Sequence, residues 1–142
     1  DTLSILAQDR HQQIDLYDEP GGVTAMADRV LLRQALLNIV HNAIRHAPEH
    51  SSIAIRVERA GDKASISVTD QGPGIAPEFQ ARIFERFFRI DPARAREGGY
   101  GLGLAIAKHS IERMGGRIEL DSRSGHGTTF RIVLPVQDSS PS

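Results

Sequence analysis

Three short segments hold residues whose types and spacing could do chemistry. In Gly99-Tyr100-Gly101-Leu102-Gly103-Leu104, glycines alternate at the opening of a predicted helix. Helix N-termini present unbonded N–H groups and the positive end of the helix dipole, and glycine lets backbone come close to a bound anion. A phosphate loop is one reading, and a flexible linker before an ordinary helix start is the other. A Walker A loop would need Lys-Ser/Thr where Leu104-Ala105 stand. A dinucleotide fingerprint would need a third Gly or Ala in place of Leu104, directly after a strand. Asp70-Gln71-Gly72-Pro73-Gly74-Ile75 closes a predicted hairpin. A carboxylate only accepts hydrogen bonds, so this one suits the exocyclic amine of a planar base such as adenine. Taken alone, an acidic Pro-Gly turn describes the segment better. Asn42 offers an amide oxygen of the kind that hard Mg²⁺ accepts beside phosphates and water, and Arg45, one turn on, can meet phosphate oxygens. Two solvent-facing asparagines on a helix are the plainer account.

Other titratable groups read as less specific. His41, His46 and His50 are close in sequence, yet Pro48 separates the last two and no acidic partner stands at matching spacing. His109 in a helix and His126 in a turn, like these three, are expected to be structural or exposed. The segment 85–100 mixes Arg86, Arg89, Arg94 and Arg96 with Glu85, Asp91 and Glu97. A solvated charged loop accounts for Arg94 and Arg96, whereas Arg86 or Arg89 could clamp a phosphate.

Regular elements must position these groups. Residues 12–17 read as a strand, Glu19-Pro20-Gly21-Gly22 as a turn, and Asp28 as the N-cap of a helix that Pro48 stops near Ala47. Leu32, Leu36, Ile39, Val40 and Ala43 form its buried face, while Gln34, Asn38, Asn42 and Arg45 fall in one polar stripe. Ile53, Ile55 and Val57, a turn at Gly61-Asp62, then Ile66 and Val68 predict a hairpin with one buried face. A second hairpin carries Ile118 and Leu120, a turn at 124–127, then Phe130, Ile132 and Leu134. Between the hairpins lie a short helix (about 78–84) and a helix from Gly101 or Leu102 to Met114, ended by Gly115-Gly116. These elements predict an α/β fold, a two-layer α/β sandwich with a mixed, mostly antiparallel sheet and helices on one face.

Composition removes rivals. The 142 residues favour one domain. With no cysteine there is no disulfide scaffold, thiolate metal site or cysteine nucleophile. Lys and Arg number 17 against 18 Asp and Glu, a balance unsuited to a protein that neutralises nucleic-acid phosphates. No run approaches the ~18 apolar residues of a membrane span, and no signal-peptide pattern opens the chain. Of 13 glycines, ten fall between Gly72 and Gly127, where the candidate loops are. The start at Asp1, without an initiator Met, leads us to expect a fragment or processed product.

The segments occur in a telling order. Asn38-Ile39-Val40-His41-Asn42-Ala43-Ile44-Arg45-His46 is followed by Asp70–Ile75, Phe84-Glu85-Arg86-Phe87-Phe88, Gly99–Leu104 and Gly125-His126-Gly127-Thr128. Over residues 12–136 the chain resembles the catalytic and ATP-binding domain of bacterial sensor histidine kinases, with its N, G1, F, G2 and G3 boxes. The resemblance implies a Bergerat fold binding ATP and Mg²⁺. It makes Asn42 the Mg²⁺ ligand with Asn38 assisting, Asp70 the adenine carboxylate, and Gly72, Gly74 and Ile75 the wall of the base pocket. Tyr100, Gly101, Leu102, Gly103 and Leu104 would border the phosphates, Thr128 the floor near the base, and 85–100, with Arg86 and Phe87, the ATP lid hinged at Gly98-Gly99. Arg45 stands where Lys is frequent, keeping charge and adding a bidentate grip. His46 replaces a common aromatic and can still pack on the base. Tyr100 is bulkier than the usual small residue and alters the lid's fit.

The implied function is supply of the γ-phosphoryl group of Mg-ATP to a histidine on a separate dimerisation hairpin, for onward passage to a response regulator receiver domain. No His-Glu-Leu-Arg-like run is present to supply that histidine, and no general base is assigned. Residues 1–11 would be the tail of an upstream linker and 137–142 a disordered tail. The domain is expected in the cytoplasm, without membrane or nucleic-acid contacts, its parent an inner-membrane sensor. Alternatives are an anti-sigma-type serine kinase of the same fold and a nucleotide-sensing module that transfers nothing.

Overall fold

The computed structural model describes residues 8, 11–17, 29–85, 103–122 and 127–135. Five strands form one sheet in the order β1-β2-β3-β5-β4: β1 Gln13–Tyr17, β2 Ser52–Ala60, β3 Lys63–Asp70, β4 Arg117–Ser122 and β5 Thr128–Pro135. Its helices are α1 Arg29–His46, α2 Pro77–Gln80 and α3 Gly103–Arg113. Strand β1 runs parallel to β2, and every other pairing is antiparallel. A parallel pair needs a long crossover, and α1 lies within it. The expected mixed sheet of two hairpins is therefore present, preceded by one β-α-β unit. The helix expected near 78–84 is a single turn, begun by Pro77 and continued by hydrogen-bonded turns through Glu85. The Asp28 cap, the turn at 19–22 and the turn residues 124–126 lie outside the described residues.

Alternation sets the faces of the sheet. Register places Leu16 beside Ile55, Ile55 opposite Val68, Val68 opposite Phe130 and Phe130 opposite Leu120. The next row joins Val57, Ile66, Ile132 and Ile118. Helices α1 and α3 cover this face: Ile39, Ala43 and Ile44 of α1 and Ala107 and Ile111 of α3 are buried in one cluster with Ile53, Val68, Phe130, Ile132 and Leu134. Each large side chain buried there contributes about 1.5–3 kcal/mol. Within α1, Ile39, Val40 and Ala43 are buried as the spacing predicts; Leu32 and Leu36 are only partly buried, and Ala35 and Ile44 join them. The opposite face is polar. Arg117 and Arg131 both bind Glu119, at 2.8 Å and 3.5 Å, and hold its carboxyl below the usual range, chiefly through the hydrogen bond from Arg117.

Helix ends are closed in two ways. At the end of α3, Gly116 N–H donates to Ile111 O and Gly115 N–H to Glu112 O, with Gly115 at φ +80°. That is the Schellman pattern, in which a residue without Cβ turns left-handed. At the end of α1 the cap comes from another element. Buried Gln12, just before β1, sets its Nε2 among the carbonyls of Ile44 (3.1 Å), Ala47 (3.2 Å) and Pro48 (3.2 Å), its two protons shared over the three acceptors. Three carbonyls around one nitrogen fix the orientation of the amide. Replacing Gln12 by Ala should lower stability by about 1–3 kcal/mol, because buried acceptors lose their donor. Gln12→Glu, equal in shape but facing the carbonyls with oxygen, should lower it further in urea unfolding. A Glu variant as stable as wild type would contradict this cap.

Candidate functional site

The apolar face of the sheet ends in a polar row. Along β3 the core-facing residues run Ala64, Ile66, Val68 and then Asp70; along β5 they run Leu134, Ile132, Phe130 and then Thr128. Ile118 and Leu120 of β4 lead likewise to Ser122. Asp70 pairs with Thr128 and Thr128 with Ser122, so all three polar side chains share one row and one face. Asp70 is 5% exposed and Thr128 6%. A carboxylate so deep needs a partner or a raised pKa. Burial pushes the Asp70 carboxyl up, and the Gly72 N–H donated to its Oδ1 at 2.8 Å partly offsets this.

Two glycines allow that arrangement. A Cβ on Gly72 would stand 2.8 Å from Asp70 Oδ1 and 2.9 Å from His46 O, so only glycine lets the loop pass between β3 and the end of α1. At Gly127, φ is +86° and a Cβ would meet Asp70 O at 2.5 Å. These contacts bring three of the predicted segments together: the end of α1, the loop after β3 and the start of β5. Ile75 closes the loop, buried in the core cluster.

The polar stripe of α1 forms as predicted. Asn38, Asn42 and Arg45 are half-buried, and Gln34 and His46 are exposed. Asn38 borders the start of α3, since a Cβ on Gly103 would lie 3.8 Å from its Oδ1. Leu104 packs partly buried against the core. Phe84 stands edge-on to Phe130, centroids 6.0 Å apart, with Lys108 Nζ 5.5 Å from its ring centre. Arg86, Phe87, Tyr100, Gly101 and Leu102 lie outside the described residues, as do the other lid residues from 86 to 100 and His126. Among the histidines, His41 is half-buried, and burial and then Arg45 hold its pKa below the ordinary value. His50 stacks on His11 with centroids 5.0 Å apart, and His109 is exposed.

Two residues of this region were not predicted. Ser122 Oγ accepts the Ile75 N–H at 2.8 Å and lies 3.0 Å from Thr128 Oγ1. Gln80 Nε2 donates to Ile75 O and Ser122 O. A signal for Ser122 exists, because continuing the alternation from Ile118 and Leu120 places it on the buried face. The bond from Gln80 to Ser122 has none, since that partner on β4 is 42 residues away.

Chemically, the arrangement offers a buried acceptor beside a strip of bare backbone, with amide and guanidinium groups on the neighbouring helix. A flat ligand with an amine edge fits the first part and an anion the second. Among the described residues no three His, Asp or Glu side chains converge on a metal. A hard cation that takes one amide oxygen besides phosphate and water does not need such a cluster. No described helix is long and apolar enough to cross a membrane.

Comparison with known proteins agrees with this fold. Residues 27–138 match the family described as histidine kinase-, DNA gyrase B-, and HSP90-like ATPase. The sensor-like histidine kinase SenX3 of Mycobacterium tuberculosis is 49% identical over 120 residues, 84% of this chain and 29% of that protein. The chain therefore spans under a third of that relative's length. The solved mycobacterial sensor histidine kinase MprB superposes with a TM-score of 0.80 at 31% identity, covering 96% of this chain and 90% of the other. Full-length ShkA in complex with AMPPNP gives 0.84 at 32% identity over 99% of this chain and 29% of that one.

The raised Asp70 pKa has a consequence for stability. Protonated in both states at low pH, the carboxyl carries no penalty there. As pH rises from the ordinary carboxylate range through the raised folded value, ionisation favours the unfolded chain. The melting temperature of Asp70→Asn minus that of wild type should therefore increase with pH across this window. A difference constant with pH would show that Asp70 ionises freely.

Proposed function

Because the chain belongs to the histidine kinase-, DNA gyrase B-, and HSP90-like ATPase family and shares the fold of sensor histidine kinase catalytic domains, we propose that it binds Mg-ATP and presents the γ-phosphoryl group to a histidine of a separate helical hairpin. The observation that carries this reading is Asp70, a buried carboxylate with the Gly72 N–H on one oxygen and a glycine-only passage beside it. Its remaining lone pairs suit the exocyclic amine of adenine, which donates, and reject the carbonyl that guanine has in that place. Gly72, Gly74 and Ile75 would line the base, with Thr128 as floor and His46 at the edge. Asn38, Arg45, Gly103 and Leu104 would border the triphosphate, joined by Arg86, Phe87, Tyr100, Gly101 and Leu102. That ShkA was solved with AMPPNP, a nucleotide analogue, supports the same pocket here.

Asn42 is the proposed Mg²⁺ ligand, with Asn38 assisting. When bound, the cation would neutralise phosphate charge that builds up during transfer. The chain's own residues would hold the base and sugar end fixed, leaving the terminal phosphate exposed to the acceptor. Arg45 would add a charge-assisted hydrogen bond to a phosphate oxygen. No residue is assigned as a general base; positioning and electrostatics suffice for phosphoryl transfer. The partners on this reading are the dimerisation and phosphoacceptor hairpin and a response regulator receiver domain. Relatives that bear sensor histidine kinase names favour this over a serine kinase or a passive sensor. A cytoplasmic site of action, under an inner-membrane sensor, belongs to the same proposal.

Calorimetry tests the pocket and labelling tests the transfer. Wild type should bind ATP more tightly with Mg²⁺ than without. Asp70→Asn should weaken binding roughly 10- to 100-fold, the range for a lost hydrogen bond to a charged group. Asn42→Ala should remove most of the Mg²⁺ dependence. Binding that neither substitution changes would defeat the site. The chain alone should label itself negligibly from γ-labelled ATP, and addition of the cognate hairpin should yield acid-labile phosphohistidine. Nucleotide binding without that product would favour the sensing module.

A further inference from the structure

The loop that carries Gly72, Gly74 and Ile75 is fastened by two side chains outside the motifs. Ser122, the last residue of β4, accepts the Ile75 N–H at 2.8 Å, while Gln80 on α2 donates to the Ile75 carbonyl at 2.9 Å. The backbone of Ile75 is thus held on both sides. Gln80 also donates to the Ser122 carbonyl at 3.1 Å, tying the two fasteners together.

The same Ser122 hydroxyl reaches the floor. It donates to Gly127 O at 3.1 Å or shares a hydrogen bond with Thr128 Oγ1 at 3.0 Å. A serine hydroxyl has one proton and two acceptor positions. With one position taken by Ile75 N–H, the proton has two destinations. If it goes to Gly127 O, the Thr128 proton turns toward Ser122, and Thr128 offers only lone pairs elsewhere. If it goes to Thr128 Oγ1, the Thr128 proton is free to donate. Thr128 is the register partner of Asp70 on the same face.

We propose that Ser122 is a positioning and specificity-determining residue of the nucleotide pocket: it fixes the Ile75 end of the Asp70 loop and sets whether Thr128 presents a donor or an acceptor beside Asp70. The inference rests on the reading of this site as an ATP pocket. Ser122 touches no nucleotide; it acts through the Ile75 backbone and the Thr128 hydroxyl. Its removal frees the wall and the floor at once, so recognition of the base edge loosens more than the grip on the phosphates.

Purine riboside triphosphate, which lacks the 6-amino group of ATP, separates these effects. Affinities of the folded chain for Mg-ATP and for this analogue, measured by calorimetry, give a discrimination ratio. Wild type should prefer ATP. Ser122→Ala should weaken ATP binding roughly three- to tenfold, as loss of one neutral hydrogen bond does, and the ratio should shrink with it. Ser122→Thr, which keeps the hydroxyl, should restore both. Gln80→Ala, pulling on the same loop from a half-buried position, should shift the ratio in the same direction even where Ser122→Ala does not fold. A wild type that binds neither nucleotide would overturn the pocket and this inference together. A discriminating wild type with an unchanged ratio in the folded variants would overturn the inference alone. Equal weakening toward both nucleotides would mean that Ser122 only stabilises the fold.

Discussion

A carboxylate at the end of an apolar sheet face is the constraint on which the rest of the site depends. Asp70 occupies the position where β3 would otherwise place another Val or Ile, and burial opposes its ionisation. One backbone N–H, from Gly72, offsets part of that cost. The chain must therefore turn back at once after β3 and pass close to His46 O, with no room for a Cβ. The approach of Gly127 to Asp70 O follows the same geometry from the other side. Stability is given up at this position for a buried acceptor, as is common where proteins bind polar ligands.

The remainder of the fold makes that position rigid. Three adjacent strands end their buried rows on Asp70, Thr128 and Ser122, so the floor is as fixed as the sheet register. A one-residue slip would move the whole row to the outer face, where the polar set of Arg117, Glu119 and Arg131 already stands. Helix α1 links the two ends of the site. Its buried stripe sets its height on the sheet, and its polar stripe then places Asn38, Asn42 and Arg45 along the site. Gln12 fastens the last turn of that helix to the strand segment that precedes it in sequence.

Much of this was legible in the residues themselves. Period-two runs at Ile53–Val57, Ile66–Val68, Ile118–Leu120 and Phe130–Leu134 have one physical solution, a sheet with one buried face, and the spacing of Ile39, Val40 and Ala43 has a helical one. The polar stripe of α1 followed from the same arithmetic. Parallel pairing of β1 was not legible, because five residues carry no sign of strand direction. Gln12 and the bond from Gln80 to Ser122 were missed for a related reason: a cap or a clamp made 32 to 42 residues away leaves no local trace. Ser122 was legible only in part. Alternation could put it on the buried face, but its partners Ile75 and Thr128 emerge from strand order, which places β5 between β3 and β4.

The central claim is that Asp70 reads an amine-bearing base as an ionised acceptor within a buried pocket. Carboxyl-detected nuclear magnetic resonance, following Asp70 across pH with and without saturating Mg-ATP, tests it most directly. In the empty protein its pKa should lie above the ordinary carboxylate range. On nucleotide binding it should fall, because a hydrogen-bond donor facing the carboxylate favours the charged form. A pKa that stays put or rises when ATP binds would contradict the account.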